Sequence, residues 1–172
     1  MALDLDQTLV VRSRCAFNNK GVRCTAIADV THPYCIEHTK FVLGVEVRQS
    51  QIVQAGLGLW AVRDIPANTH LFDYGGERLS KRDYDERYAD VEMGVYGIAL
   101  NSRTVIDARC TDAGVARYIC TYQGSGSLPN VQYLSTGKTI EMWTTRDIRS
   151  GEELLADYGD EMLQAMGVLS DG

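Results

Sequence analysis

The sequence has no run of about 18 apolar residues, the length that a helix needs to cross a bilayer. Its first residues also lack the basic region with which a secretory signal begins. We therefore expect a soluble, intracellular protein with no membrane partner. Positive charge is in short supply as well, since the formal net charge is −6. That balance argues against a nucleic-acid-binding face and suits a basic partner such as a lysine-rich peptide.

Cysteine is present in an odd number, five, and without a secretory signal this favours reduced thiols or a metal site over disulfides. Three of the five lie in a Cys-x8-Cys-x10-Cys-x2-His pattern made by Cys15, Cys24, Cys35 and His38. Four such ligands suit tetrahedral zinc in a structural role, because no position stays open for catalytic water. The alternatives are ordinary buried thiols and His32 as the histidine ligand. We favour zinc because so short and polar a segment needs a metal to fold.

Short strands dominate the predicted secondary structure, so we expect a mostly β chain with few short helices. The strands are predicted at residues 44–53, 59–62, 70–74, 95–100, 104–108, 130–134 and 139–145. One helix begins near Ser80, where Asp83 three residues later completes a capping box. Two further short helices are predicted at residues 112–119 and 160–166.

The chain also repeats a phrase. Arg-Asp-Ile begins at Arg63 and again at Arg146, and each copy runs through a turn with Asn or Gly and ends soon afterwards in Asp-Tyr-Gly. We interpret each copy as strand, turn, strand. Coincidence is the alternative, since a solenoid needs at least three repeats.

Five motifs follow one another in a characteristic order. They are Ala-Gly-Leu-Gly-Leu-Trp-Ala (55–61), Tyr-Gly-Gly-Glu (74–77), Ala-Arg-Tyr-Ile (116–119), Pro-Asn-Val-Gln-Tyr (129–133) and Gly-Glu-Glu-Leu-Leu-Ala-Asp-Tyr-Gly (151–159). Over about residues 45–160 the chain thereby resembles the SET-domain protein lysine methyltransferases. The resemblance implies small curved sheets with a C-terminal pseudoknot, and S-adenosylmethionine as the cofactor. We divide the chain into an N-terminal zinc-binding segment (1–43), a SET domain (44–160) and a C-terminal tail (161–172).

The same resemblance implies the site residues. Tyr158 matches the catalytic tyrosine, and Tyr74 and Tyr133 match positions that line the lysine channel. In the family the glycine turn lets backbone atoms approach the cofactor, which a β-carbon would block. The cofactor positions that carry over are Ala55, Gly56, Leu57, Gly58, Arg117, Tyr118, Cys120 and Thr121. A narrow channel also suits the chemistry, because burial helps to neutralise a lysine whose free pKa is about 10.4.

Two departures from the family pattern stand out. The Asn-His pair of the family's Arg-Phe-x-Asn-His-Ser-Cys run is Cys120-Thr121 here, and a thiol is a poor substitute for an amide. We therefore expect weaker cofactor binding. No cysteine cluster follows Tyr158, so the zinc-bound tail of many relatives is missing. The apolar residues of 161–172 either form a replacement lid or pack on the core as a helix, which is the commoner case.

Two functions from different classes follow. The first is a lysine methyltransferase that acts on a basic protein such as a histone tail, which favours the nucleus over the cytoplasm. The alternative is a catalytically inactive SET-like or PR-like interaction module. Nucleic-acid binding through the basic residues of the N-terminal segment has little support from the overall charge. The sequence gives no indication of oligomeric state.

Overall fold

The computed structural model describes residues 8–53, 55–90 and 96–159 of the 172-residue chain. The mostly β expectation is confirmed. The strands are β1 (Asn18–Asn19), β2 (Val22–Arg23), β3 (Val45–Gln49), β4 (Leu57–Ala61), β5 (His70–Asp73), β6 (Glu77–Ser80), β7 (Gly97–Asn101), β8 (Thr104–Asp107), β9 (Cys120–Thr121), β10 (Val131–Ser135), β11 (Ile140–Thr144) and β12 (Leu155–Ala156).

The helical elements of the described residues are all short. They are α1 (Ile36–His38), a π-helix (Thr39–Leu43), α2 (Lys81–Arg87) and two 3-10 turns (Thr111–Ala113 and Ala116–Tyr118). The predicted helix after Ser80 is confirmed as α2, and the Ser80 side chain accepts a hydrogen bond from the Asp83 N–H at 3.1 Å. Within the described ranges, no helix is long and apolar enough to span a membrane.

Four small sheets organise the described part of the chain. Two are hairpins, β1-β2 and β3-β4. A three-stranded sheet has the order β6-β8-β7, and a five-stranded sheet has the order β5-β11-β10-β12-β9. One buried core underlies the sheets of the SET-like region, and its fully buried large side chains include Val45, Leu59, Val131, Ile140, Met142, Ile148 and Leu154.

The strand β12 is inserted between two earlier segments of the chain. It runs parallel to both of its neighbours, β9 and β10. The buried side chain of Asn130 fastens this arrangement, because its Nδ2 donates to the Glu153 carbonyl and its Oδ1 accepts from the Leu155 N–H, both at 2.8 Å. This is the arrangement expected for a C-terminal pseudoknot.

The two Arg-Asp-Ile phrases pair with each other. Their isoleucines exchange both backbone hydrogen bonds, at 2.8 and 2.9 Å (Ile65 and Ile148). The aspartates are reciprocal too: Oδ1 of Asp147 accepts from the Ala67 N–H, and Oδ1 of Asp64 accepts from the Ser150 N–H, both at 2.8 Å. The phrase is therefore a device that joins two distant parts of the chain, and β5 and β12 follow its first and second copies.

Several predicted elements differ from the structure. The helix predicted at 112–119 is wrong, because Gly114, with a φ of 121°, separates two single 3-10 turns. The first strand of the SET region ends at Gln49 rather than at residue 53. The short strands β6, β9 and β12 were not predicted. The helix predicted at 160–166 lies outside the described residues.

The domain division stays a prediction. At the first proposed boundary, Gly44 adopts a left-handed conformation, with a φ of 71°, and ends the π-helix directly before β3. The proposed C-terminal tail, 161–172, lies outside the described residues.

Candidate active site

Three tyrosines from distant parts of the sequence line one cavity of about 330 Å³. Tyr74 follows β5, Tyr133 lies in β10, and Tyr158 follows β12, so the insertion of β12 brings the third to the other two. The ring centroids of Tyr74 and Tyr133 are 6.3 Å apart, and those of Tyr133 and Tyr158 are 6.5 Å apart. These are the three residues that we predicted around a lysine channel.

The tyrosine hydroxyls at this cavity have defined hydrogen-bond partners. Tyr158 donates to the carbonyl oxygen of Ile119 at 2.5 Å, and Tyr74 donates to the carbonyl oxygen of Tyr96 at 2.9 Å. Burial raises the pKa of Tyr74, Tyr133 and Tyr158 well above the ordinary tyrosine value. The hydroxyls therefore stay protonated at neutral pH. Because the Tyr74 and Tyr158 hydroxyls donate their protons to carbonyl oxygens, their oxygen lone pairs remain available to accept hydrogen bonds.

Tyr96 adjoins this cavity, and sequence reasoning missed it. Its backbone carbonyl accepts from the Tyr74 hydroxyl at 2.9 Å, and its own hydroxyl hydrogen-bonds the Thr8 hydroxyl at 3.0 Å. The Arg117 guanidinium lies 4.1 Å from its ring centroid. Its only sequence signal was its place in the strand predicted at 95–100, and a lone tyrosine in a strand is usually a core residue.

Arg117 also lines the tyrosine cavity. Its side chain is buried, and its Nη2 donates to the Thr8 hydroxyl at 3.1 Å. Its Nε and Nη1 have no hydrogen-bond partner among the described residues. Its neighbour Tyr118 is directed elsewhere, since its hydroxyl donates to the Thr31 carbonyl of the N-terminal segment at 2.7 Å. Burial raises the pKa of Tyr118 to about 12.

The predicted glycine turn lies directly before β4. Gly56 has a φ of 76°, a left-handed conformation that favours glycine, and its carbonyl accepts from the Ser50 N–H at 2.9 Å. Ala55 precedes it in the same turn and donates its N–H to the Ile52 carbonyl at 3.1 Å. The backbone conformation of this sharp bend is therefore sufficient to explain why residue 56 is glycine.

Gly58 has a different structural reason. A β-carbon at this position would collide with the carboxylate of Glu153. Glu153 is buried, its Oε2 accepts from the Gln51 N–H at 3.0 Å, and its Oε1 has no partner among the described residues. The space that we assigned to cofactor approach is thus filled, at Gly58, by a side chain of the protein itself.

Cys120 and Thr121 form β9 next to this turn. The Cys120 thiol donates to the Leu57 carbonyl at 3.5 Å. Burial raises the pKa of Cys120 to about 12, with a smaller contribution from the charge of Glu153, so the thiol stays neutral. Thr121 pairs with β12 through its backbone, and its hydroxyl donates to the Gln123 side chain. Among the predicted cofactor residues, Cys120 therefore contacts the segment of the glycine turn, whereas Arg117 lines the tyrosine cavity.

A second cluster lies in the N-terminal segment. The ligand atoms of Cys15, Cys24, Cys35 and His38 all lie within 4.8 Å of one another. Cys35 caps the N-terminus of α1 and His38 ends that single turn, which explains the short Cys-x2-His spacing. The His38 Nδ1 is 3.2 Å from the Cys35 sulfur and 3.4 Å from the Cys15 sulfur. The Phe17 ring stacks on His38 at 3.8 Å and fixes its plane.

Local hydrogen bonds favour the anionic form of one thiol in this cluster. Burial alone would raise the pKa of Cys15, but the backbone N–H groups of Cys35 and Phe17 lower it to about 7. The Cys35 N–H lies 3.2 Å from the Cys15 sulfur. The alternative histidine, His32, lies outside the cluster and accepts from the Tyr34 N–H at 3.3 Å.

The comparison with known families fits this geometry. A family model for the SET domain matches residues 56–159, which is more than half of the chain. The chain belongs to the SET-domain family. The small sheets with β12 inserted between β9 and β10 are therefore a SET-domain fold, preceded by the Cys3His segment.

Similar proteins cover much the same part of this SET-domain chain. It is 31% identical over 106 residues to histone-lysine N-methyltransferase trr of Drosophila melanogaster, which is 60% of this chain and 4% of that protein. It is 30% identical over 113 residues to an H3 lysine-36 specific histone-lysine N-methyltransferase of Eremothecium gossypii, covering 63% of this chain and 16% of that protein. The chain thus spans only a small part of the length of these relatives.

Proposed function

We propose that this SET-domain chain transfers a methyl group from S-adenosylmethionine to the ε-amine of a lysine in a protein, with a histone tail as the substrate. The observation that carries the proposal is the cavity lined by Tyr74, Tyr133 and Tyr158. The similar proteins bear the name histone-lysine N-methyltransferase, which supports the same reaction class. A histone substrate would place the protein in the nucleus.

The chain's own residues suit the handling of an amine. The bound cofactor supplies an electrophilic methyl group on a sulfonium. Tyr158 and Tyr74 have committed their protons to carbonyls, so their oxygens can accept the N–H hydrogens of a neutral amine. This holds the nitrogen lone pair away from the hydroxyls and toward the methyl donor. Because the pKa of each tyrosine is raised, the hydroxyls orient the amine rather than remove its proton.

The residues near the glycine turn fit a cationic cofactor. The buried Oε1 of Glu153 has no partner in the described part of the chain and lies against Gly58, and the cofactor carries a sulfonium and an ammonium group. Backbone groups of 55–58, together with Cys120 and Thr121, are the residues that we propose to hold it. The neutral thiol of Cys120 offers one weak donor where the family has an amide, so we keep the expectation of weakened affinity.

We also propose that the Cys3His cluster binds one structural zinc ion. Three sulfurs and one imidazole nitrogen within 4.8 Å of one another match the donor set and size of a tetrahedral zinc site. All four positions are then filled by protein, so the metal would stabilise the segment and take no part in methyl transfer.

One observation favours a second candidate function. The Cys120 thiol is turned toward the Leu57 carbonyl, so the side chain that replaces the family asparagine is already engaged within the protein. A chain that binds no cofactor would be an interaction module that kept the fold.

Calorimetric titration with S-adenosylmethionine separates the two candidates, followed by transfer of labelled methyl groups to histone peptides and a lysine-peptide library. Saturable cofactor binding with label on lysine supports the enzyme. Peptide binding without cofactor binding or transfer supports the interaction module. Histone peptides with the candidate lysine replaced by norleucine serve as the matched control.

A further inference from the structure

The cavity proposed to take a lysine contains a permanent positive charge. Arg117 lines the cavity, and its side chain is only 7% exposed. Resting on the proposed function, we propose that the Arg117 guanidinium disfavours the ammonium form of the lysine that occupies the tyrosine cavity, and so helps to supply the neutral amine for methyl transfer.

Among the described residues, the contacts that hold Arg117 are with neutral groups. Its guanidinium lies 4.1 Å from the Tyr96 ring centroid and 5.2 Å from that of Tyr118. Its Nη2 donates a hydrogen bond to a neutral acceptor, the Thr8 hydroxyl. Its Nε and Nη1 are buried and have no hydrogen-bond partner among the described residues. In the part of the chain that the structure describes, no carboxylate forms an ion pair with it.

The other titratable groups around the cavity do not cancel this charge. The titratable side chains that line it besides Arg117 are Tyr74, Tyr133, Tyr158 and Asp157, and the rings of Tyr96 and Tyr118 pack against the guanidinium. The three lining tyrosines are neutral at neutral pH, because burial raises the pKa of each. Asp157 is exposed, and its Oδ1 already accepts from the Gly159 N–H at 2.9 Å. Water screens an exposed carboxylate more strongly than a buried guanidinium, so the positive charge dominates inside the cavity.

A like charge nearby disfavours the charged form of a titrating group. An ammonium in this cavity would therefore release its proton to solvent more readily than a free lysine does. The neutral nitrogen then keeps a lone pair for the new carbon–nitrogen bond. The charge of Arg117 already acts on this cavity, since it opposes the rise in the pKa of Tyr74 that burial and Tyr133 cause. The carboxylate of Asp107 acts on Tyr74 in the opposite sense but more weakly, and it is ion-paired with Arg87. At an effective dielectric constant near 20, one unit charge at about 7 Å shifts a pKa by roughly 1 to 2 units.

This role differs from the cofactor contact that the family resemblance implies for Arg117. A cofactor contact predicts that removing the side chain weakens S-adenosylmethionine binding. An electrostatic role predicts that cofactor affinity changes little, whereas the protonation of the bound lysine changes. The two roles can therefore be separated by experiment.

The first test is the pH dependence of kcat at saturating peptide and cofactor. The rate rises with pH as the bound ammonium loses its proton, so the acidic limb reports that pKa. Removing the positive charge raises the pKa, and Arg117→Gln should move the limb by about one unit to higher pH. Thr8→Val is the matched control, because it removes the Arg117 hydrogen bond and keeps the charge. Its limb should stay at the wild-type pH.

The second test needs no turnover. Calorimetry of a lysine peptide binding to the S-adenosylhomocysteine complex, in buffers of different ionisation enthalpy, measures the protons released on binding. Wild type should release a larger fraction of a proton than Arg117→Gln at the same pH. A peptide with norleucine in place of the lysine should release none from this position in either protein.

Each outcome bears on a stated claim. Equal limbs and equal proton release for wild type and Arg117→Gln, with both proteins active and folded, would overturn the role of Arg117 and leave the proposed function intact. If the acidic limb of Thr8→Val moved as far as that of Arg117→Gln, the effect would come from the position of the Arg117 side chain and not from its charge. That result would also overturn the proposed role of Arg117. Absence of lysine-dependent binding and transfer in wild type would instead count against the proposed function itself.

Discussion

The N-terminal segment and the SET body are held together by different means. In the SET body, large apolar side chains such as Leu59, Met142 and Leu154 are fully buried in one core. In the N-terminal segment, Val22 and Ile27 are 74% and 69% exposed. Its buried residues are Cys15 and Cys35 of the Cys3His cluster, together with Ala28, His32 and Thr39.

The two regions therefore depend on different interactions for their stability. The four cluster side chains bury little apolar surface, so in our proposal the shared zinc ion holds the segment together. The SET body has a sufficient core and can keep polar groups such as Arg117 and Glu153 buried with unpartnered atoms. Variants that act on one region and spare the other test the comparison.

The largest effect is expected from removing one zinc ligand. Cys24→Ser should abolish stoichiometric zinc and unfold the N-terminal segment, because metal binding contributes on the order of 10 kcal/mol to such sites. Elemental analysis and amide hydrogen exchange measure the two effects. Cys110→Ser, which alters a thiol outside the cluster, is the control and should keep full zinc. Full zinc retention by Cys24→Ser would contradict the site.

Next in size is the loss of the Tyr158 hydroxyl. Tyr158→Phe should lower kcat about 100-fold by misorienting the amine, while cofactor affinity and thermal stability change little. Radiometric peptide methylation and calorimetry provide the two readouts. Tyr122→Phe changes a tyrosine outside the cavity lining and should be near wild type. Full turnover by Tyr158→Phe would remove this residue from the proposed site.

Gly58→Ala should destabilise the SET body by about 2–3 kcal/mol, since the new methyl group collides with the buried Glu153 carboxylate. Urea unfolding measures the change, and zinc content should be unaffected. The same substitution in a Glu153→Ala background should cost clearly less, because the colliding group is gone. Equal costs in both backgrounds would show that Glu153 is not the reason for glycine at this position.

A smaller effect is expected at Cys120. Cys120→Asn should strengthen S-adenosylmethionine binding by up to about tenfold or leave it unchanged, because an amide supplies stronger hydrogen bonds than a thiol. Calorimetric titration gives the dissociation constant, and Cys120→Ala serves as the reference without a polar side chain. A clear weakening by asparagine would mean that residues 117–121 are aligned incorrectly with the family motif.

The smallest effects concern the paired phrases. Asp64→Ala and Asp147→Ala should each lower stability by about 1 kcal/mol, because each aspartate satisfies one backbone N–H in the opposite copy. Thermal unfolding should show similar losses for the two variants. Strongly unequal losses would show that the geometric reciprocity has no energetic counterpart.

Most residues of the candidate site could be predicted from the sequence, because the motifs around Tyr74, Tyr133 and Tyr158 are local and ordered along the chain. The cysteine cluster could be predicted too, since a one-turn Cys-x2-His pair is a local property. Tyr96 could not be predicted, because its role comes from its contacts with Arg117 and Tyr74. Contacts of this kind depend on tertiary structure and leave no short-range pattern.

The missed fold elements have similar causes. β9 and β12 are two residues long, and their strand character comes from pairing with distant segments. The reason for Gly58 was also out of reach, because Glu153 lies 95 positions later in the sequence. The helix predicted at residues 112–119 fails at Gly114, because its φ of 121° interrupts a continuous helix.

The position of β12 also governs how this domain folds during synthesis. The five-stranded sheet lacks one of its interior strands until residues 155–156 have been made, so β9 and β10 expose unpaired edges on the growing chain. Ile65 likewise waits for a partner 83 positions later. Native contacts of such long sequence separation slow folding. The SET body can therefore close only after residue 156 has been made, and a chain stopped before residue 155 would lack both β12 and Tyr158.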